Sequence, residues 1–317
     1  MRPWTVAVTG STGFIGSAVL RRLAEGTAPG GGPPRVRALV RGESAGGPDD
    51  GVVERVRADI TDAASLERAL EGVDAVVHAV SYVGGDARQC WSVNLEGTAA
   101  VMAAAREAGV DRIVHFSTAA VYGAGPHRGI DVDEVDADPV SEASRSRLAA
   151  EGPALAAGAL VLRPNLVLGE GDRWVGPAFA ELTRRVPPEW DGGEALLSLV
   201  DVDDLARLAV AAVTAGTAVR GVHHAVHPVP VTSGRLRRAL AGHGLAEPAR
   251  GDADWARCVA LLASTQGRWG QRQLELLGRD HYYRGDLVWE LLAVDPGPGP
   301  LARLAAAASW YRDFCGV

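Results

Sequence analysis

Three glycines at positions 10, 13 and 16 follow a short apolar run, Val6-Ala7-Val8, and open a helical pattern that runs to Leu23. Glycines at this spacing let the backbone turn tightly and approach a diphosphate with no Cβ in the way. A helix starting near Gly13 then offers unpaired N–H groups and a partial positive charge to the phosphates. Ser11, Thr12, Phe14 and Ile15 complete the turn. The chemistry implied is dinucleotide binding. A strand before the glycines and a helix after them make the signal far more specific than the triplet alone.

A second cofactor determinant lies at the end of the next strand, Arg35–Val40. It closes in Arg41, where a protein that prefers NAD places a carboxylate for the adenosine ribose. A guanidinium suits a 2′-phosphate instead, so NADP(H) is expected over NAD(H). All 32 basic residues are arginine, and no step can use a lysine amine. Cys90, Cys258 and Cys315 are odd in number and lack metal-ligand spacing, so no metal site is expected. The acidic loop around Asp131, Asp133, Glu134, Asp136 and Asp138 reads as solvated rather than cation-binding.

These residues need a scaffold of alternating strands and helices. Strands are expected at Val6–Val8, Arg35–Val40, Val52–Ala58, Asp74–Val80, Arg112–Ser117 and Ala159–Arg163. Helices are expected after Gly13 and at 62–71, 90–108 and 141–157. Such alternation implies an α/β fold, a Rossmann-type doubly wound parallel sheet. The 317 residues divide into a nucleotide-binding part over 1–170 and a smaller, irregular substrate-binding part over 171–317, with elements returning to the first core. Residues 172–195 could form a lid over the cleft. Trp174, Phe179, Trp190, Trp255 and Trp269 either offer flat apolar surfaces to a polycyclic ligand or pack the core. A net charge of −7 argues against nucleic acid as a partner. No run reaches the roughly 20 apolar residues that span a bilayer. The first strand begins too early to leave room for a signal peptide, and a cytoplasmic protein is expected.

The spacing Thr9-Gly10-x-x-Gly13-x-x-Gly16 resembles the extended short-chain dehydrogenase/reductase family. Later segments match its pattern: Asp59-Ile60, His78-Ala79-Val80-Ser81, Asn94-Leu-Glu-Gly-Thr98, Val121-Tyr122-Gly123 and Arg163-Pro-Asn-Leu-Val-Leu-Gly169. The resemblance implies an adenine contact at Asp59 and Ile60, and Ala79 beside the cofactor. Pro164 and Asn165 pass the nicotinamide end, and Asn94 is structural. His78 reads as a packed strand residue. The family's usual dimer pairs the helices expected at 90–108 and 141–157, so monomer and homodimer both stay open.

The same comparison exposes a departure. In the family a Ser or Thr after the fifth strand holds the substrate oxygen, a Tyr on the next helix moves the proton, and a Lys four residues later binds ribose. Thr118 fills the first place. The segment Pro139-Val-Ser-Glu-Ala-Ser-Arg-Ser-Arg-Leu-Ala-Ala-Glu151 puts Ala143 in the tyrosine position and Arg147 in the lysine position. Oxidation of an alcohol, with which the family's epimerases and dehydratases begin, loses its base. Ketone reduction survives: a positioned acid is worth roughly 10²–10⁴-fold, whereas reacting geometry supplies about 7–11 kcal/mol.

The expected activity is therefore reduction of a small-molecule ketone by NADPH, with Thr118 as oxyanion donor and the proton drawn from water or a substrate phenol. Tyr122 and Ser81 are further candidate donors, beside Tyr82, and Arg147 is a candidate ribose ligand. An aromatic or polycyclic polyketide fits, and the chain also resembles angucyclinone-tailoring ketoreductases that do without the usual triad. Two other readings stay open: a reductase of a nucleotide-linked 4-keto-deoxysugar, and a non-catalytic NADP(H) sensor. The first wants a second diphosphate grip, and Glu194–Val200 carries no positive charge.

Overall fold

The apolar run at the N-terminus becomes β1 (Thr5–Thr9), buried along its whole length, as a central strand covered on both faces must be. The computed structural model describes residues 3–26, 31–42 and 53–315. Val52 of the expected third strand, and residues 27–30 and 43–51 of the expected loops, lie outside these.

Next comes α1 (Phe14–Glu25), which buries Ala18, Val19 and Leu23 at helical spacing. β2 (Arg35–Val40), β3 (Val53–Arg57), α2 (Ala63–Leu70) and β4 (Ala75–His78) continue the alternation. The long helix expected from residue 90 is not uniform. α3 (Ala87–Gln89) leads through a π-helical stretch, Cys90–Glu96, into α4 (Gly97–Glu107). β5 (Arg112–Phe116), β6 (His127–Ile130), α5 (Glu142–Ala156), β7 (Leu160–Arg163) and β8 (Leu166–Leu168) follow. α5 starts at Ser141 because two serines cap it reciprocally: each amide of Ser141 and Ser144 donates to the other's hydroxyl at 3.1 Å.

The second half runs through α6 (Val175–Arg185), β9 (Glu189–Trp190), β10 (Leu196–Leu197), β11 (Leu199–Asp201) and α7 (Val202–Thr214). It goes on with β12 (Gly221–His224), β13 (Val231–Thr232), α8 (Ser233–Gly242), β14 (Asp252–Ala253) and α9 (Trp255–Ala263). α10 (Gln271–Gly278), β15 (His281–Tyr283), α11 (Asp286–Leu291) and α12 (Pro300–Cys315) close the chain.

Seven strands make one parallel sheet in the order β12-β7-β5-β4-β1-β2-β3. Six of them are expected from the sequence. β12 is not, because Gly221-Val-His-His224 carries no apolar run. A second sheet, β13-β10-β15-β6, joins residues from both halves. α7 packs on the face of the main sheet that α1 covers: Val202, Leu205 and Leu208 share a core with Val6, Val8 and Leu23.

The C-terminal half has its own core around Phe179, Leu182, Trp190, Leu240, Leu274 and Tyr311. Residues 172–195 are therefore not a free lid, since α6 is held by that core. Phe179, Trp190 and Trp269 are buried within it, and Trp174 and Trp255 pack against it from outside. The core-packing reading of these aromatic residues holds, and the ligand-surface reading is corrected.

Candidate active site

In a doubly wound sheet the ligand cleft lies beyond the carboxyl ends of the strands. β1 ends in the glycine turn. Gly10 has φ +69°, and a Cβ there would stand 2.7 Å from the Ala79 backbone. A Cβ on Gly16 would come within 2.1 Å of the Gly10 carbonyl oxygen, and one on Gly13 within 3.2 Å of it. The turn thus has no room for side chains on its packed side. On its outer side Thr12 and Gly13 are exposed. No side chain caps α1 at Gly13, so its first amides remain available to an anion. The residues fit a dinucleotide diphosphate.

The neighbours of this turn divide into packed and open groups. The Ser11 hydroxyl donates to the Leu39 carbonyl at 3.3 Å and is buried. The Phe14 ring lies against Gly171, half-buried beside Ile15. Arg41 is exposed and near Asp59, whose carboxyl is held below the usual range by the Thr61 amide and hydroxyl and, in smaller part, by Arg41. Ile60 packs against Gly97. Ala79 is half-buried and pressed against Gly10.

At the ends of β5 and β7 stand the groups expected to meet a substrate. The Thr118 hydroxyl accepts the Ala120 amide at 3.1 Å, which leaves its proton to donate, and the residue is half-exposed. Ser81 is exposed. The loop behind it is clamped by Asn94 from the π-helical stretch: the side chain accepts from the Tyr82 amide at 2.7 Å and donates to the Tyr82 carbonyl at 2.9 Å. The same amide donates to Ser146 of α5, so the loop is tied to the helix that carries residues 143 and 147. A π-helical insertion at such a point fits the general link between these bulges and functional sites. Pro164 is buried, and its carbonyl accepts the Ala119 amide. The Asn165 amide donates to the carbonyls of Ser198 and His281, joining β7 to the second sheet.

Tyr122 sits elsewhere. It is 4% exposed, and its hydroxyl belongs to a buried chain of polar groups. Arg163 Nη1 donates to it at 2.7 Å, and it faces His224 Nε2 at 2.7 Å. Arg163 pairs with Glu151, which accepts the Ser117 hydroxyl. Burial pushes the Tyr122 phenol up, against the pull of Arg163. Sequence reasoning assigned no role to Glu151, Arg163 or His224. The available signals were that Glu151 and Arg163 stand in the matched segments 139–151 and 163–169, and that Arg163 is a charge closing an apolar strand.

Arg147 lies on α5 one turn after Ala143. Its Nη2 donates to the carbonyls of Ser117 and Phe116, at 2.5 and 3.4 Å, where β5 ends. Burial lowers its pKa to about 10, against the pull of Glu151. Beside it His115 stacks on His78 at 5.3 Å. His78 is packed as expected, between the hydroxyls of Thr9 and Thr98, and burial pushes it down to about 4. Burial, then His78 and Arg147, hold His115 well below the usual range. The acidic loop residues are exposed, and among the described residues no group of three or more ligating side chains is placed to hold a metal. No helix among the described residues is long and apolar enough to cross a membrane.

The fold and the glycine turn define a Rossmann-type dinucleotide-binding protein of the α/β class. The chain belongs to the NAD dependent epimerase/dehydratase family, whose model matches residues 6–225. It is 39% identical over 127 residues to sterol demethylase protein B of Methylococcus capsulatus, covering 38% of this chain and 37% of that one. It is 32% identical over 195 residues to the 2-alkyl-3-oxoalkanoate reductase of Stenotrophomonas maltophilia, covering 57% and 56%. The chain thus spans between 30% and 60% of the length of the curated relatives it matches. Among solved structures it resembles the UDP-glucuronic acid 4-epimerase of Bacillus cereus in complex with NAD, with a TM-score of 0.72 at 18% identity over 98% of this chain and 99% of that one. This likeness shows the fold.

Proposed function

We propose that this chain is an NADPH-dependent ketoreductase that works without the family's Tyr and Lys, on a ketone of a polyketide or related secondary metabolite. The observation that carries the reading is Thr118, whose hydroxyl keeps a free proton at the end of β5, while residue 143, where the family's acid is expected, is alanine. The relative named as a 2-alkyl-3-oxoalkanoate reductase supports a ketone as the substrate class, and the resemblance to angucyclinone-tailoring ketoreductases supports a polycyclic one.

Gly10, Thr12, Gly13, Phe14, Ile15 and Gly16 hold the diphosphate through backbone amides, with Ser11 fixing the turn from beneath. Arg41 takes the 2′-phosphate. Asp59, Ile60 and Ala79 border the adenine and the diphosphate, and Pro164 and Asn165 border the nicotinamide. A reduced nicotinamide held by these residues would supply a hydride to the carbonyl carbon and would itself be oxidised. Thr118 donates a hydrogen bond to the oxygen as the carbonyl π pair moves onto it. The resulting alkoxide takes its proton from a neighbouring substrate phenol or from water. Ser81, at the open edge, and Tyr122, through its buried network, support the site rather than carry the proton. We place the protein in the cytoplasm, as a monomer or a homodimer.

The test is NADPH consumption by the pure protein with two panels, polycyclic aromatic ketones and nucleotide-linked keto-sugars. Turnover of a phenol-flanked ketone establishes the reading. Turnover of keto-sugars alone moves the substrate class, and cofactor binding with no consumption on either panel overturns the enzyme in favour of a sensor.

A further inference from the structure

Arg147 is a cation that shares its only charged influence, Glu151, with another arginine. Among the described residues it forms no salt bridge, because Glu151, the nearest carboxylate to influence it, is taken by Arg163. Its Nη2 is anchored on the Ser117 carbonyl, one residue before Thr118. Its Nε is buried with no partner, and the adjoining His115, 3% exposed, has both ring nitrogens buried and unpartnered. Nη1 bonds to nothing among the described residues, and unlike Nε it is not enclosed. One helical turn earlier, on the same face of α5, stands the short side chain of Ala143.

A largely buried charge with unspent donors is costly unless a partner of opposite charge arrives. Ribose hydroxyls are neutral and do not offset that cost. An oxygen on which negative charge develops does, and donors fixed beforehand stabilise it most. We propose that Arg147 Nη1 and Thr118 Oγ1 together form a two-donor cradle for the substrate oxygen, and that Arg147 serves this oxygen rather than the cofactor ribose. The ligand class that fits is a ketone with a second, ionisable oxygen two carbons away, such as a phenol-flanked aryl ketone or a 3-oxo acid. The guanidinium gives up no proton; it faces the charge that the π pair brings to oxygen, and the proton follows from the substrate phenol or water. The inference rests on the ketoreductase reading for its chemistry, but its test does not depend on turnover.

The probe is 1,8-dihydroxyanthraquinone, whose colour reports ionisation of the phenols flanking its ketone, titrated on the protein in the presence of NADP⁺. The bound probe should ionise at least about one pH unit lower than the free one. Arg147→Met should remove the shift and Arg147→Lys should keep part of it, while NADP⁺ affinity stays within about threefold in both. A probe that fails to bind, or binds with an unshifted titration, overturns the cradle. So does an Arg147→Met protein that keeps the shift but binds NADP⁺ about tenfold more weakly, since that is the behaviour of a ribose ligand. A wild-type protein that shows the shift yet reduces no ketone keeps the cradle and removes the reductase reading.

Discussion

Arg163 and Glu151 meet as a two-point ion pair inside the protein, Nε to Oε1 at 2.9 Å and Nη2 to Oε2 at 2.6 Å. Both are almost wholly buried, 6% and 4% exposed, and each has further partners: Tyr122 on the arginine, Ser117 on the carboxylate. Through this pair α5 is fastened to β7 and to the strand end that carries Thr118.

Breaking the pair from one side leaves a buried charge alone. Glu151→Gln should therefore destabilise the fold by about 3–5 kcal/mol, and the double variant Glu151→Leu, Arg163→Met by less. Urea unfolding of the three proteins checks this. Equal losses in the single and double variants would show that the charge left behind is not what costs.

Gly16→Ala would set a Cβ 2.1 Å from the Gly10 carbonyl oxygen, so the phosphate turn must move. NADPH affinity should fall more than about tenfold, with the rest of the fold intact by circular dichroism. Fluorescence titration of the nicotinamide gives the affinity.

Thr118→Val removes the donor and keeps the shape. Turnover of an accepted ketone should drop at least about tenfold with NADPH binding unchanged. Unchanged turnover would take Thr118 out of the mechanism.

Arg41 is exposed, so its contribution is screened and best read as a ratio. Arg41→Ser should weaken NADPH about tenfold and leave NADH affinity as it was. Paired titrations with the two cofactors decide it, and equal weakening of both would remove the 2′-phosphate role.

The glycine turn was legible in the sequence because Gly-x-x-Gly-x-x-Gly has a local cause: no other residue fits beside Ala79 and the Gly10 carbonyl. The central strands β1, β4 and β7 were legible for a similar reason, since strands buried on both faces read as apolar runs, whereas the edge strand β3, Val-Glu-Arg-Val-Arg, is only half-buried. The rest depends on contacts between distant residues. β12 shows no apolar run and is recognisable only by its register beside β7. Tyr122 is a candidate donor by its motif, yet Arg163 and His224, 41 and 102 residues away, hold its hydroxyl inside. The tryptophans of the second half admitted two readings until the packing of α6 and its neighbours assigned them.

His78 titrates near 4 in the folded protein against an ordinary 6.5, because burial disfavours its charge. Between those values the unfolded chain binds a proton that the folded one refuses. Stability from this residue is full above 6.5 and falls as pH drops towards 4, by about 1.4 kcal/mol per pH unit. Asp201, pushed up to about 6 by burial, acts in the opposite sense over part of that range. The check is therefore a difference: His78→Asn should flatten the urea-derived stability profile between pH 6.5 and 4 relative to wild type. Parallel profiles would exclude His78 as the origin.

The main sheet takes its outer strand from residues 221–224 and a covering helix from residues 202–214. Neither belongs to the stretch that carries the nucleotide motifs. On the ribosome, then, the glycine turn emerges more than two hundred residues ahead of the strand that gives its sheet a second edge. A fragment cut near residue 170 would keep every recognisable motif and still lack the wall against which α1 folds, so the cofactor half is a unit of sequence rather than a unit of assembly.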